Sequence, residues 1–147
     1  MEFNKILVPL RNTSVADEEA VRLACSLIKD KQSEIYLVYV IEVERSRSLD
    51  EVPQLPAREK SEAVLDNGEE IANAMGCAVI KSCWQAREFA PAIIDEAKNG
   101  FDLIVMGVEH EKRLGYFDPG KTIRSIFRES PCAVLIYRSP ITEELKE

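Results

Sequence analysis

One histidine in 147 residues leaves little room for metal or acid–base chemistry. His110 has no cysteine or histidine at short spacing, and Cys25, Cys77, Cys83 and Cys132 include no C-x-x-C pair. A tetrahedral zinc set is therefore missing, and no metal is expected. Cysteines scattered mostly through apolar runs read as buried, inert thiols in a reducing compartment. No apolar run approaches the ~20 residues of a membrane span, which argues against a membrane partner. The opening stretch has no basic n-region and no small-residue cleavage site, so a cytoplasmic location is expected. Lysine and arginine number 19 against 26 acids, a net charge of −7. With no basic cluster to displace counterions, nucleic acid is not expected as a partner. No Ser/His/Asp, Cys/His or paired-carboxylate arrangement stands out. No catalytic residue is assigned, and the chain reads as a non-enzyme.

The length and an apolar share of 46% fit one globular domain, 1–147. A chain of this size buries roughly 68–70% of its unfolded surface and needs no covalent staple. Lys5-Ile-Leu-Val-Pro9 and the apolar run 34–41 have the continuous pattern of strands buried on both faces. Between them, Ser14-Val-Ala-Asp17 has capping-box spacing, and the helical period of Ala20, Leu23, Ala24 and Leu27 predicts a helix over 14–31. The charged, proline-bearing stretch 42–56 reads as a mobile connection. A second helix is predicted over 56–75, with Val64, Leu65, Ile71, Ala72 and Met75 inward and Gly76 as its stop. Residues 77–84 alternate more than the other runs and read as an edge strand. Residues 87–99 read as a third helix, with Pro91 in its first turn.

The last quarter is strand, polar loop, short helix, strand. Asp102-Leu-Ile-Val-Met-Gly107 leads into the loop 108–119, then Gly120-Lys121-Thr122, an amphipathic segment 123–130, and Cys132-Ala-Val-Leu-Ile-Tyr137. Strands alternating with helices give βαβ units and a parallel sheet. The fold class expected is α/β, a flavodoxin- or Rossmann-like three-layer sandwich with a five-stranded parallel sheet in the order 3-2-1-4-5. Its topological switch point lies between the first and fourth strands, and ligands bind such sheets beyond the carboxyl ends there. Gly107 and Gly120-Lys121-Thr122 border that crevice. Backbone amides and a lysine at a helix start suit an anion.

Gly115-Tyr-Phe-Asp-Pro-Gly120-Lys121-Thr122 also satisfies G-x-x-x-x-G-K-[ST]. A phosphate-binding loop of that kind follows its strand directly. Here the strand ends near Gly107, Pro119 has no N–H to offer, and Asp118 would meet phosphate with negative charge. The match reads as coincidence.

The Lys5-Ile-Leu-Val-Pro, Asp102-Leu-Ile-Val-Met-Gly and Ser130-Pro-Cys-Ala-Val-Leu-Ile segments resemble the universal stress protein family, over 5–138. The resemblance implies an α/β sandwich, homodimers, and in many members ATP or AMP in the crevice. Nucleotide-binding members carry Gly-x2-Gly-x9-Gly-[Ser/Thr]. Gly107 and Gly120 match the first and third glycines. His110 replaces the second, Lys121 replaces the Ser/Thr, and Thr122 falls one place late. The family's aspartate after the first strand falls on Arg11. By the same alignment Val40 would meet an adenine through its backbone, and Pro9 and Met106 would line the pocket. A side chain at 110 opposes close approach of phosphate. Arg11 removes a nucleoside acceptor, and with His110 and Lys121 it suits a different anion.

The uncharged run Ala133-Val134-Leu135-Ile136-Tyr137 falls at the sheet edge in this order. Pairing with a second copy would cover it, in a two-fold homodimer. The expected function is a non-enzymatic, homodimeric stress-response protein with a degenerate or retuned nucleotide or anion site, which acts by binding another protein or an anion. The alternative is a functional ATP- or AMP-binding member with slow ATP hydrolysis.

Overall fold

The computed structural model describes residues 2–30, 32–109, 112–113, 116–117 and 120–140, with backbone alone at 112–113 and 116–117. Strands β1 (Lys5–Pro9), β2 (Glu34–Glu42), β3 (Ile80–Ala86) and β4 (Leu103–Val108) alternate with helices α1 (Val15–Leu27), α2 (Leu55–Ala74) and α3 (Phe89–Ala97). A two-residue ladder then pairs β5 (Lys112–Arg113) with β6 (Tyr116–Phe117), inside the stretch read from sequence as loop. Helix α4 (Lys121–Glu129) and strand β7 (Ala133–Arg138) close the fold. The main sheet is parallel throughout, in the order β3-β2-β1-β4-β7. That is the expected 3-2-1-4-5 topology, with the small ladder inserted before its last strand.

The interior strands read as unbroken apolar runs because both faces are covered. Side chains alternate across a strand. Ile6, Val8 and Leu10 of the β1 segment join Leu103 and Val105 of β4 in a core beneath α1 and α2. Leu7, Ile104 and Met106 point the other way, into a core with Ile93 of α3 and Ile123 and Ile126 of α4. Each such Leu or Ile contributes roughly 1.5–3 kcal/mol by leaving water.

Helix boundaries follow their caps. Ser14 is the N-cap of α1, and its Oγ accepts from Asp17 N at 3.2 Å. The helix stops at Leu27, short of the expected residue 31. There Phe3 N donates to Leu27 O and Lys29 N to Phe3 O, so the chain leaves the helix to pair with the N-terminal segment. Gly76 ends α2 at φ 79°, with Gly76 N bonded to Asn73 O and Cys77 N to Ala72 O. Met75, expected inward, is 45% exposed because it sits at this cap. The 42–56 connection, expected to be mobile, is tethered. Gln85 Nε2 donates to Leu49 O and Glu51 O, and Arg87 Nη1 to the carbonyls of Val43 and Glu44.

Two glycines hold elements close, by different margins. A Cβ at Gly107 would sit 2.2 Å from Ala16 O and 2.8 Å from Asp17 N, both backbone atoms of α1. A Cβ at Gly68 would sit 2.9 Å from Cδ1 of Leu10 and of Leu37, the ends of flexible side chains. Backbone cannot yield as a leucine methyl can. Gly107→Ala should cost about 3 kcal/mol in urea unfolding. Gly68→Ala should stay within about 1 kcal/mol of the parent, because better helix propensity offsets the crowding.

Candidate functional site

The carboxyl ends of β1 and β2 open onto a crevice. One cavity of about 240 Å³ is walled by Arg11, Asn12, Tyr39, Val40, Lys60 and Phe89, among others. A second, of about 210 Å³, is walled by Glu88, Pro91, Lys121, Thr122 and Ser125, among others. Glu42 and Phe89 border both, so the two form one crevice. The loop leaving β1 and the start of α4 thus face a common space, as the sheet topology requires.

The β1–α1 loop is shaped by Asp17. Its carboxylate is 5% exposed, and Oδ2 accepts from both Arg11 N and Asn12 N at 2.8 Å. The capping box suggested by the sequence is therefore half made: Ser14 caps Asp17, while Asp17 turns to the loop instead of back to Ser14. With its backbone fixed, Arg11 lays its guanidinium over the Phe89 ring, 5.1 Å from the centroid. That is cation–π distance. Phe89 opens α3, so the contact bridges the crevice.

The N-terminus of α1 is already occupied. Glu109, just beyond β4, accepts from Ala16 N at 3.1 Å through Oε1 and from Ser139 Oγ at 2.9 Å through Oε2. The loops after β1, β4 and β7 are thereby tied together. Gly120 is the N-cap of α4 at φ 88°, and Lys121 and Thr122 face the cavity. Helix α3 starts at the same crevice with Phe89, so the starts of α3 and α4 both border it, with the partial positive charge that suits an anion. Among the described residues, Lys60 and Lys121 have no ion-pair partner.

Of the residues singled out from sequence, Arg11, Val40, Lys121 and Thr122 line the crevice, and Gly120 starts the helix that supplies two of them. Pro9 is buried in β1 beneath it. Met106 is 1% exposed and belongs to the core under α3 and α4. Gly107 is buried, and its lack of a side chain is what admits the first turn of α1. His110 lies outside the described residues, as do Gly115, Asp118 and Pro119 of the G-x-x-x-x-G-K-[ST] match. Sequence reasoning passed over Asp17 as a site residue, and Glu42, Lys60, Phe89 and Glu109 entirely. Asp17 carried a signal as an acid in a helix's first turn. The other four carry none until the sheet brings them together. No group of His, Cys, Asp or Glu among the described residues could hold a metal ion, and none of their helices is long and apolar enough to cross a membrane.

Residues 2–138 match the universal stress protein family. No curated protein sequence matches the chain. Among solved structures, a universal stress protein from Archaeoglobus fulgidus is 16% identical, with a TM-score of 0.76 over 90% of this chain and 96% of that one. An Archaeoglobus fulgidus universal stress protein in complex with dAMP is 17% identical, with a TM-score of 0.72 over 92% and 98%. A universal stress protein family protein from Arabidopsis thaliana with AMP bound is 11% identical, with a TM-score of 0.63 over 98% and 99%. At such identities these likenesses speak for the fold.

The two carboxylates at the α1 start titrate in opposite directions. Burial raises Asp17 above its ordinary 3.8 against the pull of the Arg11 and Asn12 amides, with Arg11 lowering it and Glu109 raising it further. Burial also pushes Glu109 up, but hydrogen bonds from Ala16 N, Ser139 and Ser14 outweigh it and leave it below 4.5. Asp17 therefore contributes stability below pH 3.8 that is lost as pH rises through its native value. Glu109 contributes stability above pH 4.5 that is lost as pH falls through its native value. Between about pH 3.5 and 5 the two partly cancel. Asp17→Asn should steepen the acid-side loss of stability, and Glu109→Gln should flatten it, in urea unfolding followed across that range.

Proposed function

The chain belongs to the universal stress protein family, and from that premise we propose a non-enzymatic, homodimeric stress-response protein whose crevice is retuned from a nucleotide to a compact phosphate-bearing anion. The observation that carries this reading is Arg11 over Phe89. A guanidinium stands there at the position that the family pattern gives to an aspartate, and it fills space between the two cavities. A carboxylate accepts hydrogen bonds from a nucleoside, whereas a guanidinium only donates and pairs with phosphate oxygens. Lys60 and Lys121 add positive charge on either side of it. The three cations share the crevice with three carboxylates, Glu42, Glu88 and Glu129. Glu42, between the cavities, would accept from a hydroxyl of the ligand. Pro9, Met106 and Gly107 support the crevice floor in this reading, and Val40, Gly120 and Thr122 border the ligand.

A second reading is favoured by the dAMP and AMP named with the two relatives above. Arg11 would then swing off Phe89 to admit a nucleotide, ATP or AMP, with slow hydrolysis as an extension. The two readings separate in a thermal-shift experiment. A ligand at about 100 times its Kd stabilises by about 2.7 kcal/mol, which is ~5–10 °C for a chain of this size. Millimolar pyrophosphate should give a shift of that order, and ATP with magnesium a smaller one. Arg11→Asp should abolish the pyrophosphate shift. A larger shift with ATP and magnesium in the parent protein would favour the nucleotide reading.

The dimer would form through β7. This strand pairs with β4 and lies at the end of the sheet order. Its 133–137 run bears no charge. Leu135 packs against the first core, so replacing it would disturb folding as well as pairing. Ala133 is exposed and makes the cleaner test. Ala133→Lys should shift sedimentation from dimer to monomer with an unchanged circular dichroism spectrum, because a lysine blocks edge pairing.

A further inference from the structure

Cys25 and Cys77 are 52 positions apart in the chain and meet in the fold. Cys25 sits near the end of α1, 8% exposed, within the core that α1 and α2 share. Cys77 directly follows Gly76, the left-handed residue that ends α2, and its amide is fixed by Ala72 O at 2.9 Å. The Cys77 thiol donates to the Cys25 carbonyl at 3.9 Å, so its sulfur lies against residue 25. Both are reduced. With the Cys77 sulfur already at residue 25, rotation of the two side chains is what the disulfide length of about 2.05 Å requires.

We propose that Cys25 and Cys77 are a modification site, a dithiol that hydrogen peroxide converts to a reversible disulfide joining the ends of α1 and α2. The pair is asymmetric. Cys77 is half-buried at a loop and within reach of a small oxidant, whereas Cys25 lies inside the core. Burial, with the neighbouring Cys77, pushes the Cys25 thiol up to about 12, so it stays protonated. Cys77, the more accessible sulfur, is therefore the one that attacks the peroxide first. Its sulfur bonds to one peroxide oxygen, the O–O bond breaks, and the departing hydroxide takes a proton to become water. The product is a sulfenic acid on Cys77. Cys25 sulfur then attacks Cys77 sulfur. The S–S bond forms, the S–O bond breaks, and the Cys25 proton leaves with that oxygen as a second water. Two thiols lose two electrons and two protons, and one peroxide becomes two waters. The position of the Cys77 sulfur against residue 25 supplies the proximity that offsets the poor acidity of Cys25. Read from the sequence as inert, the cysteines divide: Cys25 alone is inert, and Cys25 with Cys77 is not. Exposed Cys83 on β3 and half-buried Cys132 beside Ser130 have no second cysteine at hand.

The cross-link would close a long loop and restrict the unfolded chain. It also ties together the helices whose other ends carry Asp17 and Lys60.

The test uses the full chain with Cys83→Ser and Cys132→Ser, to prevent intermolecular products. A few equivalents of hydrogen peroxide should remove two hydrogens from the intact mass. A non-reducing peptide map should join the Cys25 and Cys77 peptides. The melting temperature should rise by ~5–10 °C, and dithiothreitol should reverse it. Adding Cys25→Ala should leave Cys77 as a sulfenic acid that dimedone captures. Oxygen added to Cys77 while Cys25 still alkylates after unfolding would overturn the proposal, as would Cys77-linked dimers in place of the internal bond. Should the Cys25→Ala protein fail to fold, the peptide map of the parent decides alone.

Discussion

The approach of β4 to the first turn of α1 sets the rest of this structure. Gly107 has no side chain, and the Ala16 carbonyl occupies the space a Cβ would need. Because backbone meets backbone there, α1 can start only in one place relative to the sheet. From that place Glu109 reaches Ala16 N, and Ser139 reaches Glu109. Asp17, one turn into the helix, is carried under the β1–α1 loop and takes the amides of Arg11 and Asn12. The pose of Arg11 over Phe89 is the last link of that chain. A loss at Gly107 would propagate to the crevice without any crevice residue being changed.

The same packing decides which helix start faces outward. At α1 the chain's own Ser14 and Glu109 satisfy the first amides. At α4, Lys121 and Thr122 lead the helix into a cavity instead. A helix terminus with intrinsic attraction for anions is thus satisfied at α1 by the chain's own side chains. The opposite rim of the sheet has its own tie. Asp102 accepts from Asn4 N and Lys5 N, and Lys5 Nζ donates to Asn99 O while lying 4.5 Å from the centre of the Phe101 ring. These contacts hold β1 and β4 in register at their amino ends and leave the carboxyl ends to form the crevice.

Much of the fold is legible in the sequence, for a reason that particular residues make plain. Ile6, Leu7 and Val8 are all apolar because a central parallel strand has no wet face. Ser14 before a helical period marks a start, and Gly76 after one marks a stop. These signals are local, each readable within a few residues. The end of α1 was misplaced because Phe3, which competes for its last turn, is 24 positions away. The connection 42–56 looked mobile because its anchors, Gln85 and Arg87, come from a later strand and the loop beyond it.

The sequence by itself determined the element types and the parallel order, and with them that Arg11, Lys121 and Thr122 fall at the carboxyl rim of the sheet. Those follow from hydrophobic period, caps and connection rules, which act over short stretches of chain. Only the tertiary structure decided that Gly107 serves packing, that Asp17 and Glu109 hold the loops, that Lys60, Glu42 and Phe89 join the crevice, and that Cys25 touches Cys77. Each of those depends on atoms brought together from distant parts of the chain, and a linear pattern carries no record of such distances.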